Sequence, residues 1–157
     1  MRYLGIDPGT TRIGYGIIDD IRGTLTPVVW GIISNPGAHA SLDKQSTVQE
    51  LKGLIHTHKP NAAGVERLFF MNNQKTAMPV AEMRGVIMLT LADAGLPIHE
   101  FTPLQVKQMV CGHGGAKKDQ VQKMVQLILH ITERIHPDDA ADALAIALCC
   151  SSAQAKY

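Results

Sequence analysis

Four acidic residues in this chain could do chemistry together: Asp7, Glu66, Asp139 and Asp142. Asp7 ends the apolar run Leu4-Gly5-Ile6 and stands directly before Pro8-Gly9. Glu66 ends a second apolar run, Ala62-Ala63-Gly64-Val65. Asp139 and Asp142 are three apart in Asp-Ala-Ala-Asp-Ala-Leu, a helical pattern that sets both on one face. Like charges at that spacing repel unless a cation lies between them. Carboxylates converging from two strand ends and one helix face would make a hard-oxygen site for Mg²⁺, with Mn²⁺ as the alternative. Two ions in such a site suit phosphodiester hydrolysis, one beside the attacking oxygen and one beside the leaving oxygen.

Each acid also has a plainer use. Asp7 could start the turn at Pro8-Gly9, Glu66 could pair with Arg67 at the surface, and Asp138 or Asp139 could serve a helix N-terminus. Separate coincidences at all of these places are needed to dismiss the joint site. Asp138 and Asp139 compete for one role. Asp138 is four residues from Asp142 and Asp139 is three, so spacing does not choose between them; Asp138, nearer the helix start, suits capping better.

The elements that must position these residues follow from periodicity and punctuation. Arg2 to Asp7, Arg12 to Ile18 and Leu25 to Ser34 read as strands joined by tight turns, an antiparallel meander. Leu42 to His58 has helical spacing and stops at Pro60; Ala62 to Glu66 is a buried strand. Thr76 to Ala94 is the longest helix, with Pro79 in its first turn and Gly95-Leu96-Pro97 at its end. It is apolar nearly all round, so one face suits the core and the other a subunit interface, unless it is a central core helix of a monomer. Ile98 to Phe101 is a short strand and Pro103 to Val110 a short helix. A glycine loop, 112–115, precedes a helix that Asp119 could cap, and Pro137 opens a last helix running to about Ser151. The expected class is α/β, a mixed five-stranded sheet flanked by helices, with ligands at the carboxyl ends of strands.

Composition sets the outer bounds. The 157 residues, 45% hydrophobic and 18% charged, fit one globular domain over 1–157 and exclude a disordered chain. No apolar stretch is long enough to cross a bilayer, and no secretory leader precedes the first strand. Cys111, Cys149 and Cys150 lack metal spacing and read as reduced thiols of a cytoplasmic protein. A net charge of +1 argues weakly against a nucleic-acid partner. Yet Lys107, Lys117, Lys118 and Lys123 face Asp119 alone between Pro103 and Lys123, a basic patch that an acidic cluster elsewhere would hide in the total. Phe69 and Phe70, just past Glu66, are either core anchors or, in a loop beside a nuclease site, a platform for an unpaired base. His113 fits a solvated loop residue better than a ligand.

At these residues the chain resembles the RuvC family of Holliday-junction resolvases, on the ribonuclease-H-like fold. The resemblance runs through Gly5-Ile6-Asp7-Pro8-Gly9, Val65-Glu66-Arg67-Leu68-Phe69-Phe70 and Met83-Arg84-Gly85-Val86. It continues through Gln105-Val106-Lys107-Gln108, Lys118-Asp119-Gln120-Val121 and Asp139-Ala140-Ala141-Asp142-Ala143-Leu144-Ala145. The order and spacing of all six make the match specific, although the 112–117 loop departs from the family's usual form. The resemblance implies that Asp7, Glu66, Asp139 and Asp142 bind divalent metal and catalyse hydrolysis, which gives the metal role to Asp139 over Asp138. It implies that Phe69 stacks at an opened junction centre and that Lys107 and Lys118 contact phosphates. It also implies a homodimer making paired nicks across four-way DNA junctions in recombination and repair, leaving 5′-phosphate and 3′-hydroxyl ends, beside the branch-migration proteins RuvA and RuvB. Three other readings stand against it: a kinase or ATPase of the actin type, for which one domain is too little; a junction binder without activity; and a ribonuclease-H-like nuclease acting on RNA.

Overall fold

The computed structural model describes residues 1–9, 11–34, 40–68 and 74–154. Its centre is a five-stranded sheet in the order β3-β2-β1-β4-β5. The strands are β1 (Arg2–Asp7), β2 (Arg12–Ile21), β3 (Thr24–Ser34), β4 (Ala62–Glu66) and β5 (Ile98–Phe101). β1, β2 and β3 pair antiparallel, and β4 and β5 continue the sheet in parallel beside β1. The expected mixed sheet and meander are therefore present. β2 runs three residues further than its apolar alternation suggests. Asp19 and Asp20 continue the strand because Asp19 pairs with Arg2 at 2.7 Å and Asp20 accepts from Ser151 Oγ at 2.7 Å.

The helices are α1 (Ala40–His58), α2 (Gln74–Asp93), α3 (Pro103–Cys111), α4 (Lys118–Ile128) and α5 (Asp138–Gln154). Three expectations about their starts need correction. Pro79 is the sixth residue of α2 and falls in its second turn. Asp119 does not cap α4. The cap position is Lys117, whose backbone N–H donates to Gln120 Oε1 at 2.8 Å, leaving Asp119 in the first turn, where negative charge is favoured anyway. Pro137 precedes α5, which begins at Asp138. Among the described residues no helix is long and apolar enough to cross a membrane.

Alternation along the strands sorts the sheet into two faces. Leu4 and Ile6 of β1, Ile13 and Ile17 of β2, and Ala63 and Val65 of β4 join Leu51 of α1 and Met83, Ile87 and Leu91 of α2 in one core. The opposite face carries Gly5, Gly14, Gly16 and Gly64, and α5 lies on it. Gly5 is in register with Gly16 on one side and Gly64 on the other, so the glycines form a stripe across three strands. A Cβ at Gly5 would stand 2.0 Å from the Ala143 carbonyl oxygen, and one at Gly14 would stand 2.0 Å from the Asp139 carbonyl oxygen. Only glycine permits α5 to sit this close, backbone against backbone. The helix answers with small residues of its own, the buried Ala140, Ala141, Ala143 and Ala147. α2, by contrast, buries one side only and leaves Met78 and Leu89 exposed, so it is not a central core helix.

Candidate metal centre and nucleic-acid cleft

The glycine stripe decides where the carboxylates go. Asp7 is two residues beyond Gly5, and Glu66 is two beyond Gly64, so both side chains leave the sheet on the α5 face. Asp7 is the register partner of Gly14, and Gly14 is where the backbone of Asp139 touches the sheet. Asp142 lies one turn further along α5. All four acids are thereby drawn to one sheet edge, at the carboxyl ends of β1 and β4.

Their electrostatics record that proximity. Burial, then the charges of Glu66, Asp142 and Asp139, push the Asp7 carboxyl up to about 7, with Lys118 opposing. Burial and the charge of Asp142 push Glu66 up to about 7 as well, again against Lys118. Asp142 is also raised, by burial first, although Lys118 works in the other direction. Carboxyls held this far above their ordinary range mark an acidic cluster in need of positive charge.

Lys118 supplies part of it. Its Nζ lies 3.0 Å from Asp142 Oδ2 and 3.9 Å from Asp138 Oδ2. Burial works to lower the pKa of this ammonium, but the hydrogen bond to Asp142 and the surrounding carboxylates outweigh it and raise the value. Lys118 is the first residue of α4, held there by the Gln120 cap. Arg12, at the start of β2, approaches Asp139 at 3.8 Å, a contact that sequence spacing does not foretell.

Asp138 and Asp139 now part company. Asp138 Oδ1 accepts from Gln122 Nε2 at 3.1 Å and lies 4.0 Å from Arg134, a link between α5, α4 and the segment before α5. The charge of Asp139 helps to raise Asp7, and the charges of both Asp139 and Asp138 help to raise Asp142. Whether these oxygens fit a divalent ion turns on donor type and position. The donor set is all carboxylate, the hard-oxygen chemistry of Mg²⁺ and Mn²⁺, and the Lys118 ammonium is a stand-in cation upon it. Among the described residues no three His, Cys, Asp or Glu side chains stand at ion-holding spacing. The cluster fits a cation in charge and donor type; its side chains are not closed around one.

Beside the cluster runs a cleft of about 240 Å³ lined by Glu66, Lys107, Lys118 and Asp142, with Pro103, Val106, Val121 and Ala145 as its apolar wall. Lys107 therefore meets Lys118 across the same cleft, from α3. That helix is fixed at both ends: Thr102 Oγ1 accepts from the Gln105 N–H at 3.2 Å, and Gly112, at φ 80°, closes the C-terminus. Gln105 and Gln120 cap the two helices that carry Lys107 and Lys118, and Gln108 Nε2 donates to the Gly112 oxygen at 2.7 Å. Phe69 and Phe70 lie outside the described residues. His113 is exposed in the loop after α3.

Comparison with known proteins gives one answer. The family described as "Crossover junction endodeoxyribonuclease RuvC" matches residues 3–150. A protein of that description from Syntrophomonas wolfei is 48% identical over 150 residues, covering 95% of this chain and 87% of that protein. Another, from Roseiflexus sp., is 45% identical over 149 residues, covering 94% and 89%. The structure of Thermus thermophilus RuvC in complex with Holliday junction substrate aligns with a TM-score of 0.92 at 31% identity, covering 99% of this chain and 96% of that one. The yeast mitochondrial Holliday junction resolvase Ydc2, 13% identical with a TM-score of 0.69, shares the fold.

Proposed function

The chain belongs to the RuvC family of crossover junction endodeoxyribonucleases, and we propose that it resolves four-way DNA junctions by paired nicks, leaving 5′-phosphate and 3′-hydroxyl ends in recombination and repair. The observation that carries the reading is the gathering of Asp7, Glu66, Asp139 and Asp142 at one sheet edge, opening on a cleft with two lysines.

Asp7, Glu66, Asp139 and Asp142 are the residues that would hold divalent metal, Mg²⁺ or Mn²⁺, two ions per site. Bound there, the ions would supply a water of lowered pKa and charge neutralisation at the departing oxygen. The chain's own part is to present ionised oxygens in a fixed arrangement. Asp7 and Glu66, both at about 7, must give up protons when an ion binds, so affinity rises with pH through neutrality. The Lys118 ammonium, placed at the cluster, is the donor for a non-bridging phosphoryl oxygen. Lys107, across the cleft, holds a neighbouring phosphate and sets the register of the strand. Phe69 is assigned the stacking role at the junction centre.

The acting form in this reading is a homodimer built through the exposed apolar side of α2, with Met78 and Leu89 at the contact. A two-fold dimer would set its two sites on opposed strands of a two-fold junction. Residues 1–157 form one nuclease domain, working in the cytoplasm with RuvA and RuvB.

The test uses Asp7→Asn and Glu66→Gln on synthetic four-way junctions with Mg²⁺. Linear duplex and structured RNA serve as controls. Each variant should lose cleavage by roughly 1,000-fold or more while junction binding persists. Wild-type speed in either would remove that residue from the site, and equal cleavage of structured RNA would replace the substrate.

A further inference from the structure

We infer that Arg84 is a positioning residue for Glu66, acting through the backbone of β4 in concert with Glu100; the inference rests on the metal-site reading above. Arg84 sits on α2, on the far side of the sheet from the cleft, and its side chain is only 18% exposed. Its Nε donates to the Glu66 carbonyl oxygen at 3.1 Å. Its Nη2 donates to Glu100 of β5. Glu100 in turn lies 3.9 Å from Arg67, the residue after Glu66. One guanidinium–carboxylate pair thus reaches Glu66, the last residue of β4, and Arg67 just after it.

The strand end needs this support. Pairing between β1 and β4 runs from Tyr3↔Ala62 to Ile6↔Val65 and stops one residue short of Glu66. On the other side β4 meets β5 as far as Glu66↔Phe101, and the Arg67 N–H donates to the Phe101 oxygen at 2.7 Å. Glu66 is therefore tied to the sheet along one edge only. A hydrogen bond on its carbonyl fixes the orientation of the following peptide and hence the direction of its Cα–Cβ bond. An arginine suits the task because its planar fork can serve a carbonyl and a carboxylate at once, which a lysine's single ammonium does not do with the same geometry. Groups that orient a ligand without touching the ion commonly change metal affinity or activity by about 10–100-fold when removed. The Met83–Val86 segment, part of the resemblance without a role in the cleft, gains one.

The experiment titrates Mn²⁺ calorimetrically into the intact protein at about pH 8, where the cluster is ionised. Single-turnover junction cleavage is followed over a range of Mg²⁺. Arg84→Ala should weaken Mn²⁺ binding about 10-fold and raise the Mg²⁺ needed for half-maximal cleavage to match, with junction affinity in Ca²⁺ within about twofold of wild type. In a Glu66→Gln background the same substitution should change Mn²⁺ affinity less than about twofold, because the residue acts through Glu66. Should Arg84→Ala fail to fold, Glu100→Gln, which keeps an acceptor but loses the charge, should move both readouts in the same direction by about threefold or more. A lower melting temperature with unchanged Mn²⁺ affinity and Mg²⁺ dependence would make the Arg84–Glu100 pair purely structural and overturn the inference. If Glu66→Gln itself left Mn²⁺ binding intact, the metal-site reading would fall and this inference with it. Weakened but measurable binding in Glu66→Gln with no change in the Arg84 or Glu100 variants defeats this inference alone.

Discussion

On one face of the sheet, Gly5, Gly14, Gly16 and Gly64 let α5 lie with its backbone nearly touching the strands; on the other, Leu4, Ile6, Ile17 and Val65 meet α1 and α2 through long aliphatic side chains. Both faces bury apolar residues but differ in tolerance. Aliphatic side chains can change rotamer and fill a modest gap. Backbone-to-backbone contact, as at Gly5 and Gly14, has far less slack, so α5 is held close against the strands. The carboxylates sit on the face with less slack. A hydrolytic site that needs oxygens from two strands and a helix in fixed relation is best built there.

The largest effect that could break this contrast belongs to Gly5→Ala. The new Cβ would stand 2.0 Å from the Ala143 oxygen and 2.5 Å from the Ala147 nitrogen. α5 must move away or the strand must bend, and the Asp7–Asp142 relation moves with it. Cleavage should fall by about 100-fold or more, with about 3 kcal/mol lost in urea unfolding. An active, stable Gly5→Ala protein would show the close approach to be incidental. The opposite face supplies the control. Ile87→Ala should destabilise the fold by about 2–5 kcal/mol, yet junction cleavage per folded molecule should stay within about threefold of wild type. A loss of cleavage as deep as that of Gly5→Ala would erase the distinction between the faces.

A smaller effect comes from the charges themselves. Asp7 and Glu66 titrate near 7 when folded and near their ordinary values when unfolded. Between those values the folded state binds more protons, so stability conferred by the protonated acids is present at about pH 4 and lost as pH rises through 7. In the metal-free protein the midpoint of urea unfolding should therefore fall over that window. Asp7→Asn should flatten the decline by on the order of 1–2 kcal/mol, discounted for the water that reaches a partly exposed carboxyl. Mn²⁺ should restore the wild-type protein above pH 7 and leave Asp7→Asn largely unaffected. The smallest effect is a reactivity difference. Burial pushes the Cys149 and Cys150 thiols of α5 up to about 12. At pH 8 an alkylating reagent should reach half-buried Cys111 at least about tenfold faster than either of them. Equal rates would mean that α5 lifts from the sheet readily.

Much of the site is legible in the sequence for a simple reason: Asp7 and Glu66 end apolar runs, and a strand's period of two is enough to predict that they terminate strands. The five strands and the helices from Pro103 onward follow from the same patterns. The glycines of the stripe are visible as residues but not as a stripe, because nothing local tells Gly5 that Gly16 and Gly64 will be its neighbours. Asp19 and Asp20 look like the end of a strand because their partners, Arg2 and Ser151, are 17 and 131 residues away. The choice of Asp139 over Asp138 needed the resemblance; in the fold Asp138 is held by Gln122 and lies near Arg134, while Asp139 lies near Arg12. Arg84, 18 residues from Glu66 and on another element, bears on it only once the chain is folded.

The most direct test is the anomalous scattering of a crystal of the protein soaked in Mn²⁺ at about pH 8. A manganese peak in contact with Asp7 and Glu66 from the strands and with Asp139 or Asp142 from α5, the Lys118 ammonium having left Asp142, is the predicted result. Strong manganese density elsewhere, with no ion on Asp7 or Glu66 and Lys118 still on Asp142, would contradict the account.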